Sequence, residues 1–288
     1  MLINNNYINP RTTKCRTSLF KDTKNAYNIF ILMIQNIFVN SPLEQFEVSP
    51  FISVTAPILG NFNLSLTNLG FYAMITTFLV LGMHIIANNS HALIPSKWSV
   101  ALESAYASVQ GMVRDQIGAT NEIYTPFIYS LFFFIIIANL NGNIPYGFTV
   151  TTSIMVAIGL SVMIFLGVTI LGLSIHGVHF FAYFIPSGTP LGLVPLLVLI
   201  ELISYLARAV SLGVRLFANM VAGHTLLKIL STFLAQLFTA SILVAVVTLI
   251  PFAVFVALIG LELAVSVIQA YVFCVLTCSY IKDAIELH

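Results

Sequence analysis

Long apolar runs separated by short polar or proline-containing breaks dominate the chain from residue 69 onward. A membrane-spanning helix needs about 20 predominantly apolar residues. Apolar runs near this length lie at 69–87, 126–140 and 149–174. The second of these is short and ends in the turn sequence NGNIPYG. The pattern predicts a membrane helix at each of these positions.

The segment 97–118 differs in kind, because charged and polar residues recur through it. Its apolar positions fall on one side of a helix and are Val100, Leu102, Ala105, Val109, Met112 and Val113. A helix of this type lies in the membrane interface, where Trp98 would act as an aromatic anchor. We therefore predict an amphipathic interfacial helix here.

Two apolar segments at the end of the chain, 191–230 and 233–282, are too long to stand upright in a bilayer. A helix of about 40 residues is about 60 Å long, whereas the hydrocarbon core is about 30 Å thick. These segments are therefore predicted to be strongly tilted or broken. The whole pattern predicts an all-α polytopic membrane protein with about five membrane helices and one interfacial helix.

Composition agrees with a membrane protein, because 59% of the residues are apolar and only 7% are charged. Soluble domains carry roughly a quarter charged residues. Residues 1–40 hold five of the eleven basic residues and a single acidic residue. A basic stretch followed by the short apolar run 29–39 is typical of a cleaved leader. A disordered arm or a membrane-surface helix is the alternative. The predicted membrane domain is therefore 41–288.

Ionisable residues inside the long apolar segments are the main candidates for function. A charge at membrane depth is costly and is normally turned toward protein or water. Glu201, Arg208 and Arg215 are seven residues apart and share one helix face. Glu201 and Arg215 are about 21 Å apart along such a helix, so each needs a different partner. Arg208 is compatible with an ion pair or with a lipid-headgroup anchor.

Arg215 and Glu262 have the longest apolar flanks on both sides, which favours a functional interpretation for these two residues. Gln269 is seven residues after Glu262 and shares its face, whereas His224 points to the side opposite Arg215. Asp283 is near the end of the last segment, where simple solvation would also account for its charge.

The segment SLGVRLFANMVAGH (211–224) strongly resembles the signature of the subunit a family of rotary F-type ATP synthases. The preceding ELISYLARAV (201–210) extends the likeness, and LELAVSVIQAYVFCVLTCSYIKDA (261–284) is similar to the family's last helix. SPLEQFEV (41–48) resembles the start of the mature mitochondrial form, especially the fungal one. The likeness covers roughly 41–288 and implies that the preceding arm is removed.

The resemblance also implies an architecture and partners. The family has an upright first helix, an amphipathic surface helix, two further spans and two long tilted helices against a ring of c subunits. The resemblance implies that the protein lies in the lipid bilayer of the mitochondrial inner membrane. The implied partners are the c-ring, peripheral-stalk subunit b and small membrane subunits.

Roles for individual residues follow from the resemblance by position. Arg215 would be the stator arginine that faces the carboxylates of the c-ring. The half-channel open to the intermembrane space would be lined by His224, Glu262, Asn219, Gln269 and Asn139. The half-channel open to the matrix would be lined by Glu201, Asp283 and His288. Bacterial relatives exchange the residue types of the acid and the histidine, so His224 with Glu262 is the mitochondrial arrangement.

The sequence contains no phosphate-binding loop, dinucleotide fingerprint or nucleophile elbow. Cys15, Cys274 and Cys278 have no further ligand at metal-binding spacing. We therefore expect no cofactor, no metal, no nucleic acid and no direct nucleotide binding. The expected role is a non-nucleotide-binding subunit that is not an enzyme on its own.

The predicted function is a proton-translocating stator subunit in which Arg215 separates two offset half-channels. The first alternative is a secondary ion-coupled transporter that uses Glu201, Arg215 and Glu262, and that would move a solute when reconstituted alone. The lack of an internal repeat counts against an inverted-repeat transporter fold. The second alternative is a structural or assembly subunit of another respiratory complex, which would tolerate loss of these charges.

Overall fold

The computed structural model describes residues 43–56, 62–87, 95–144, 147–184, 192–240 and 246–286. These residues form one β-hairpin and six α-helices: α1 (Asn68–Ala87), α2 (Lys97–Ile117), α3 (Thr125–Gly142), α4 (Ile154–His176), α5 (Val194–Ala240) and α6 (Leu249–Ile285). All except α2 are long and apolar enough to cross a membrane. The predicted all-α polytopic class is therefore confirmed. The predicted leader 1–40 and the site residue His288 lie outside the described residues.

The described part of the chain begins with a short turn and a β-hairpin that leads directly into α1. Strand β1 (Pro50–Ala56) pairs antiparallel with β2 (Phe62–Thr67). Pro50 is the first residue of its strand, a position where the missing N–H is tolerated. Phe51 of the hairpin stacks on Phe71 of α1, with 5.8 Å between ring centroids.

Helix α2 is amphipathic and buries the second half of its apolar stripe. The side chain of Ser96 caps its first turn by accepting a hydrogen bond of 3.2 Å from the backbone N–H of Ser99. The apolar residues that become buried are Val109, Met112, Val113 and Ile117, and they belong to the main apolar core of the protein. Trp98 remains exposed, as an interfacial anchor requires. Helix α2 packs against both α3 and α6.

The two longest helices, α5 and α6, contain 47 and 37 residues. Each therefore exceeds the hydrocarbon thickness of about 30 Å, since a residue adds about 1.5 Å. They must lie obliquely or extend beyond the hydrocarbon core. The structure differs from the sequence prediction at the end of α5, which continues to Ala240 instead of ending near residue 230. The stretch STFLAQLFTA (231–240) contains no glycine or proline to stop the helix.

Helix α5 packs closely against α4. A Cβ atom at Gly213 would lie 2.9 Å from the carbonyl oxygen of Ala157 in α4, so only glycine allows this approach. Nearby, the hydroxyl of Ser161 donates a hydrogen bond to the carbonyl of Ala209. Helix α6 packs against α3, α4 and α5 and contributes the fully buried Phe273 to the core. Gly213 is two residues before Arg215, so this close approach holds the segment of α5 that carries Arg215 against α4.

Candidate functional site

His224 of α5 and Glu262 of α6 meet inside the protein. His224 Nδ1 lies 3.1 Å from Glu262 Oε1, and the two side chains are only 12% and 7% exposed. The pair has the separation of an ion pair but lacks the direction of a hydrogen bond, so Oε1 of Glu262 is buried without a donor. An uncompensated carboxylate in this position is costly. A positive charge on the imidazole would compensate a negative charge on the carboxyl group at this distance.

A glycine makes the close approach of Glu262 to α5 possible. A Cβ atom at Gly223 would lie 2.9 Å from Glu262 Oε1 and 3.3 Å from its carboxyl carbon. Any larger residue would push the carboxyl group away from His224. At Gly260, two residues before Glu262, a Cβ atom would meet no other atom within 4 Å. The steric constraint is therefore specific to position 223.

The second ring nitrogen of His224 is also engaged. Nε2 lies 3.0 Å from the hydroxyl of Thr149, which is 4% exposed. Thr149 directly precedes the 3-10 turn Val150–Thr152. A neutral imidazole donates from one nitrogen and accepts at the other, whereas a hydroxyl can donate or accept. Thr149 can therefore accommodate either tautomer of His224.

Amide and hydroxyl groups continue the polar cluster beside the Glu262 segment of α6. Asn139 accepts a hydrogen bond of 2.8 Å from Thr151 and donates one of 3.3 Å to the carbonyl of Ser266. Asn143 donates to the Ser266 hydroxyl over 3.1 Å, and that hydroxyl donates to the carbonyl of Glu262 over 2.9 Å. The predicted site residue Asn139 is thus fully buried and linked to the backbone near Glu262.

A further polar contact lies between the His224–Glu262 pair and the level of Arg215. Asn219 donates a hydrogen bond of 3.2 Å to the side-chain carbonyl of Gln269. Asn219 is four residues after Arg215 along α5, and Gln269 is seven residues after Glu262 along α6. The structure therefore brings four predicted residues into two neighbouring contacts between the long helices.

A cavity of about 880 Å³ opens beside His224 and Glu262. Liquid water occupies about 30 Å³ per molecule, so this space admits many water molecules. Its other polar lining residues are Gln45, Asn68, Tyr72, Asn143, Thr149, Lys228 and Ser231. The cavity connects the buried acid and histidine to the end of the helix bundle at which α1 begins.

Arg215 lies on an exposed surface of α5 instead of in this cluster. None of the ion pairs among the described residues includes it. Five small, exposed residues share this helix face with Arg215, and they are Ser204, Ala207, Ser211, Ala218 and Ala222. Small residues allow another helix to approach closely in a membrane. Arg215 is therefore a long charged side chain on a surface that is otherwise shaped for close helix contact.

The remaining predicted residues lie toward the other end of α5. Arg208 Nη1 is 2.8 Å from Oδ2 of Asp283, and both side chains are about one third exposed, at 32% and 36%. This contact decides between the two interpretations of Arg208 in favour of an ion pair. Glu201 is half-buried, and the ion pairs of the described residues do not include it. The structure does not join Glu201 to Asp283.

Comparison with known proteins decides the family. A profile described as ATP synthase A chain matches residues 70–282. The chain belongs to the ATP synthase A chain family. Among its relatives, each named ATP synthase subunit a, that of Mycosarcoma maydis is 69% identical over 87% of this chain and 98% of its own length. The Emericella nidulans relative is 51% identical over 89% of this chain and 100% of its own length. The Kluyveromyces lactis relative is 46% identical over 88% of this chain and 99% of its own length.

Four polar contacts of this ATP synthase A chain family member were not predicted from its sequence, namely those of Thr149, Thr151, Asn143 and Ser266. Asn143 belongs to NGNIPYG, which the sequence analysis interpreted only as a turn. A usable signal was present, because Thr149, Thr151, Thr152 and Ser153 form a hydroxyl-rich stretch between two apolar helices. Polar side chains that flank a membrane helix are candidates for partners of buried charges.

Proposed function

We propose that this chain is the proton-translocating stator subunit in the membrane sector of a rotary ATP synthase of the mitochondrial inner membrane. Membership of the ATP synthase A chain family and the five apolar helices support a proton-translocating membrane subunit. The fungal relatives named ATP synthase subunit a support the mitochondrial location. The subunit works with a c-ring, peripheral-stalk subunit b and small membrane subunits, and it is not an enzyme on its own.

The observation that carries this proposal is the isolation of Arg215 on a surface of small residues. The described chain supplies no ion pair for its guanidinium, although such a charge at membrane depth requires compensation. A carboxylate on another membrane subunit meets this requirement. A ring of c subunits that each carry one carboxyl group would present such a partner repeatedly as the ring turns.

Arg215 would control the protonation of those carboxyl groups. A carboxyl group that faces lipid must be protonated, because a bare charge in hydrocarbon is very costly. Beside a guanidinium it is stabilised in its ionised form. Arginine itself keeps its proton in a protein. Arg215 would therefore attract the ring carboxylate without passing protons, which prevents a direct leak between the two half-channels.

The polar cluster would form the half-channel open to the intermembrane space. Protons would enter through the water-accessible cavity and reach the His224–Glu262 pair. The Asn219–Gln269 contact lies in the direction of Arg215 and would guide the proton to the ring. Asn139 would act less directly, because its hydrogen bonds end on Thr151 and on the Ser266 backbone.

The half-channel open to the matrix would run along the other part of α5, past Glu201 and Asp283. His288, which lies outside the described residues, is assigned to this half-channel by the family resemblance alone. The ion pair with Arg208 would hold Asp283 in place beside this path. A proton that has travelled round the ring would leave here, when Arg215 displaces it from the ring carboxyl group. The membrane potential contributes about 2.3 kcal/mol per charge per 100 mV to this transfer.

Replacement of Arg215 tests the proposal. We expect Arg215→Ala to abolish coupled ATP synthesis and to raise passive proton conductance, while the complex still assembles. Arg215→Lys should also fail, because a buried lysine can release its proton whereas arginine cannot. The measurements are ATP synthesis, proton conductance and the amount of assembled complex in the same membranes. Normal ATP synthesis with Arg215→Ala would refute the proposal.

A second test separates this function from that of an ion-coupled transporter. The purified chain, reconstituted alone, should conduct no protons and move no solute, because the ring carboxylates are missing. Solute movement that depends on Glu201, Arg215 and Glu262 would favour the transporter.

A further inference from the structure

The segment before the β-hairpin sends one aromatic side chain into the cavity beside His224. Phe46 ends a single 3-10 turn, Glu44–Phe46, and its side chain is half-buried. Its ring centroid lies 6.4 Å from that of His224, at an interplanar angle of 56°. This separation is within the range of attractive aromatic pairs, about 4.5–7 Å. Val48, two residues later, is exposed, so the inward position of Phe46 is not a property of the whole segment.

Asn68, the first residue of α1, holds this segment in place. Its side-chain amide donates a hydrogen bond of 3.1 Å to the carbonyl of Glu47, the residue after Phe46. Its backbone N–H donates a hydrogen bond of 3.0 Å to the carbonyl of Ser49. Asn68 and Phe46 both line the cavity that contains His224 and Glu262. The start of a membrane helix therefore fixes the position of an aromatic ring against the histidine.

The imidazole of His224 thus has three neighbours that determine its orientation. Thr149 and Glu262 face its two nitrogens at 3.0 and 3.1 Å, and Phe46 packs on the ring. The terminal torsion of histidine is broad, so contacts with the nitrogens alone leave the ring free to tilt. The ring of Phe46 restricts that freedom on the side of the cavity.

We propose that Phe46 is a positioning residue for proton entry, whose ring keeps the imidazole of His224 between Thr149 and Glu262. Phe46 carries no proton itself and acts only through His224. Phe46 also lines the cavity beside His224, so removal of its ring should make the cavity more accessible. The inference rests on the proposed function, since it assigns a role within the proton path that contains His224.

Replacement of the ring tests this inference in membranes that contain the assembled complex. We expect Phe46→Ala to lower ATP-driven proton pumping about fivefold, as the loss of one aromatic contact implies. Phe46→Tyr, which keeps the ring, should restore most of the rate. Phe51→Ala is the matched control, because Phe51 is 70% exposed and stacks on Phe71 instead of on His224. Equal rates for Phe46→Ala and Phe51→Ala would overturn the inference.

A mutant cycle distinguishes positioning from a general loss of stability. Asn68→Ala removes the side-chain anchor to Glu47, so it should lower pumping in the same direction but less than Phe46→Ala. If both act through the position of the ring, the double variant should pump no more slowly than Phe46→Ala. If the pumping rate of the double variant instead falls by the product of the two single reductions, the substitutions act independently and a shared role is contradicted.

Thiol labelling provides a readout of the cavity itself. Leu227 lines the cavity and can be replaced by cysteine, while the native Cys274 and Cys278 are buried. A charged methanethiosulfonate should react faster with Leu227→Cys when Phe46 is also replaced by alanine. An unchanged reaction rate would show that the ring does not restrict the cavity.

The outcome for Arg215→Ala separates failure of this inference from failure of the proposed function. Loss of coupling with Arg215→Ala together with normal pumping by Phe46→Ala would reject only the role of Phe46. Retained ATP synthesis with Arg215→Ala would reject both.

Discussion

Arg208 of α5 and Asp283 of α6 form an ion pair of 2.8 Å that joins the two longest helices. Arg215 lies seven residues further along the same face of α5, yet the ion pairs of the described chain do not include it. Two arginines that are equivalent in sequence pattern therefore have different environments. One is compensated by Asp283, and the other has no ion pair among the described residues.

This difference predicts different results for the same substitution. We expect Arg208→Gln to weaken the contact between α5 and α6 and to lower ATP synthesis only in part, because Asp283 itself remains. On the proposed function, Arg215→Gln should abolish ATP synthesis, because it removes the charge that would attract the ring carboxylate. Thermal stability of the complex and ATP synthesis measure the two effects. Equal loss of synthesis in both variants would contradict the distinction.

The contact between His224 and Glu262 predicts that their side chains can be exchanged in part. We expect His224→Glu and Glu262→His each to stop proton pumping, because each leaves two like groups in contact. The double exchange restores one acid and one histidine to the two facing positions and should recover more activity than either single variant. A double variant as inactive as the single ones would show that the two groups do not act as a pair.

Gly223 predicts a steric effect on the same pair. Gly223→Ala would place a Cβ atom 2.9 Å from Glu262 Oε1. The atoms that this Cβ would meet belong to the end of the Glu262 side chain, which can shift. We expect the carboxyl group to move away from His224 and proton pumping to fall, with little change in the thermal stability of the complex. Gly260→Ala is the control, since its Cβ atom meets no other atom within 4 Å. Similar behaviour of the two variants would argue against a close contact at Gly223.

The hydroxyl group of Thr149 can be removed with little change in side-chain volume, and we expect its removal to slow proton pumping. Thr149→Val removes the partner of His224 Nε2 but keeps the branched shape of the side chain. Leaving a buried polar group unsatisfied costs about 1–3 kcal/mol, which corresponds to a rate reduction of about fivefold or more if it affects the transition state. Proton pumping is the measurement. Thr169→Val, which removes a contact of 2.9 Å with Tyr205, is the matched control. If Thr149→Val pumps no more slowly than Thr169→Val, Thr149 has no special role.

The sequence did not predict which hydroxyl and amide side chains surround the His224–Glu262 pair. Thr149, Asn143 and Ser266 are ordinary polar residues when considered in sequence, and two of them flank a recognisable turn. They join the site because α3 packs against α6 and the turn after α3 contacts α5. Asn143 and Ser266 are 123 residues apart, so their hydrogen bond follows from tertiary packing alone.

The sequence by itself determined the apolar helices, the interfacial α2 and the identity of the charged candidates, because local hydropathy and the cost of a buried charge fix these features. It also placed Arg208 and Arg215 on one face, since helical periodicity is local. Only the tertiary structure decided which charges meet. It paired Arg208 with Asp283 and His224 with Glu262, and it placed Phe46 against the histidine. Contacts between distant segments depend on how helices pack, and hydropathy along the chain does not encode that packing.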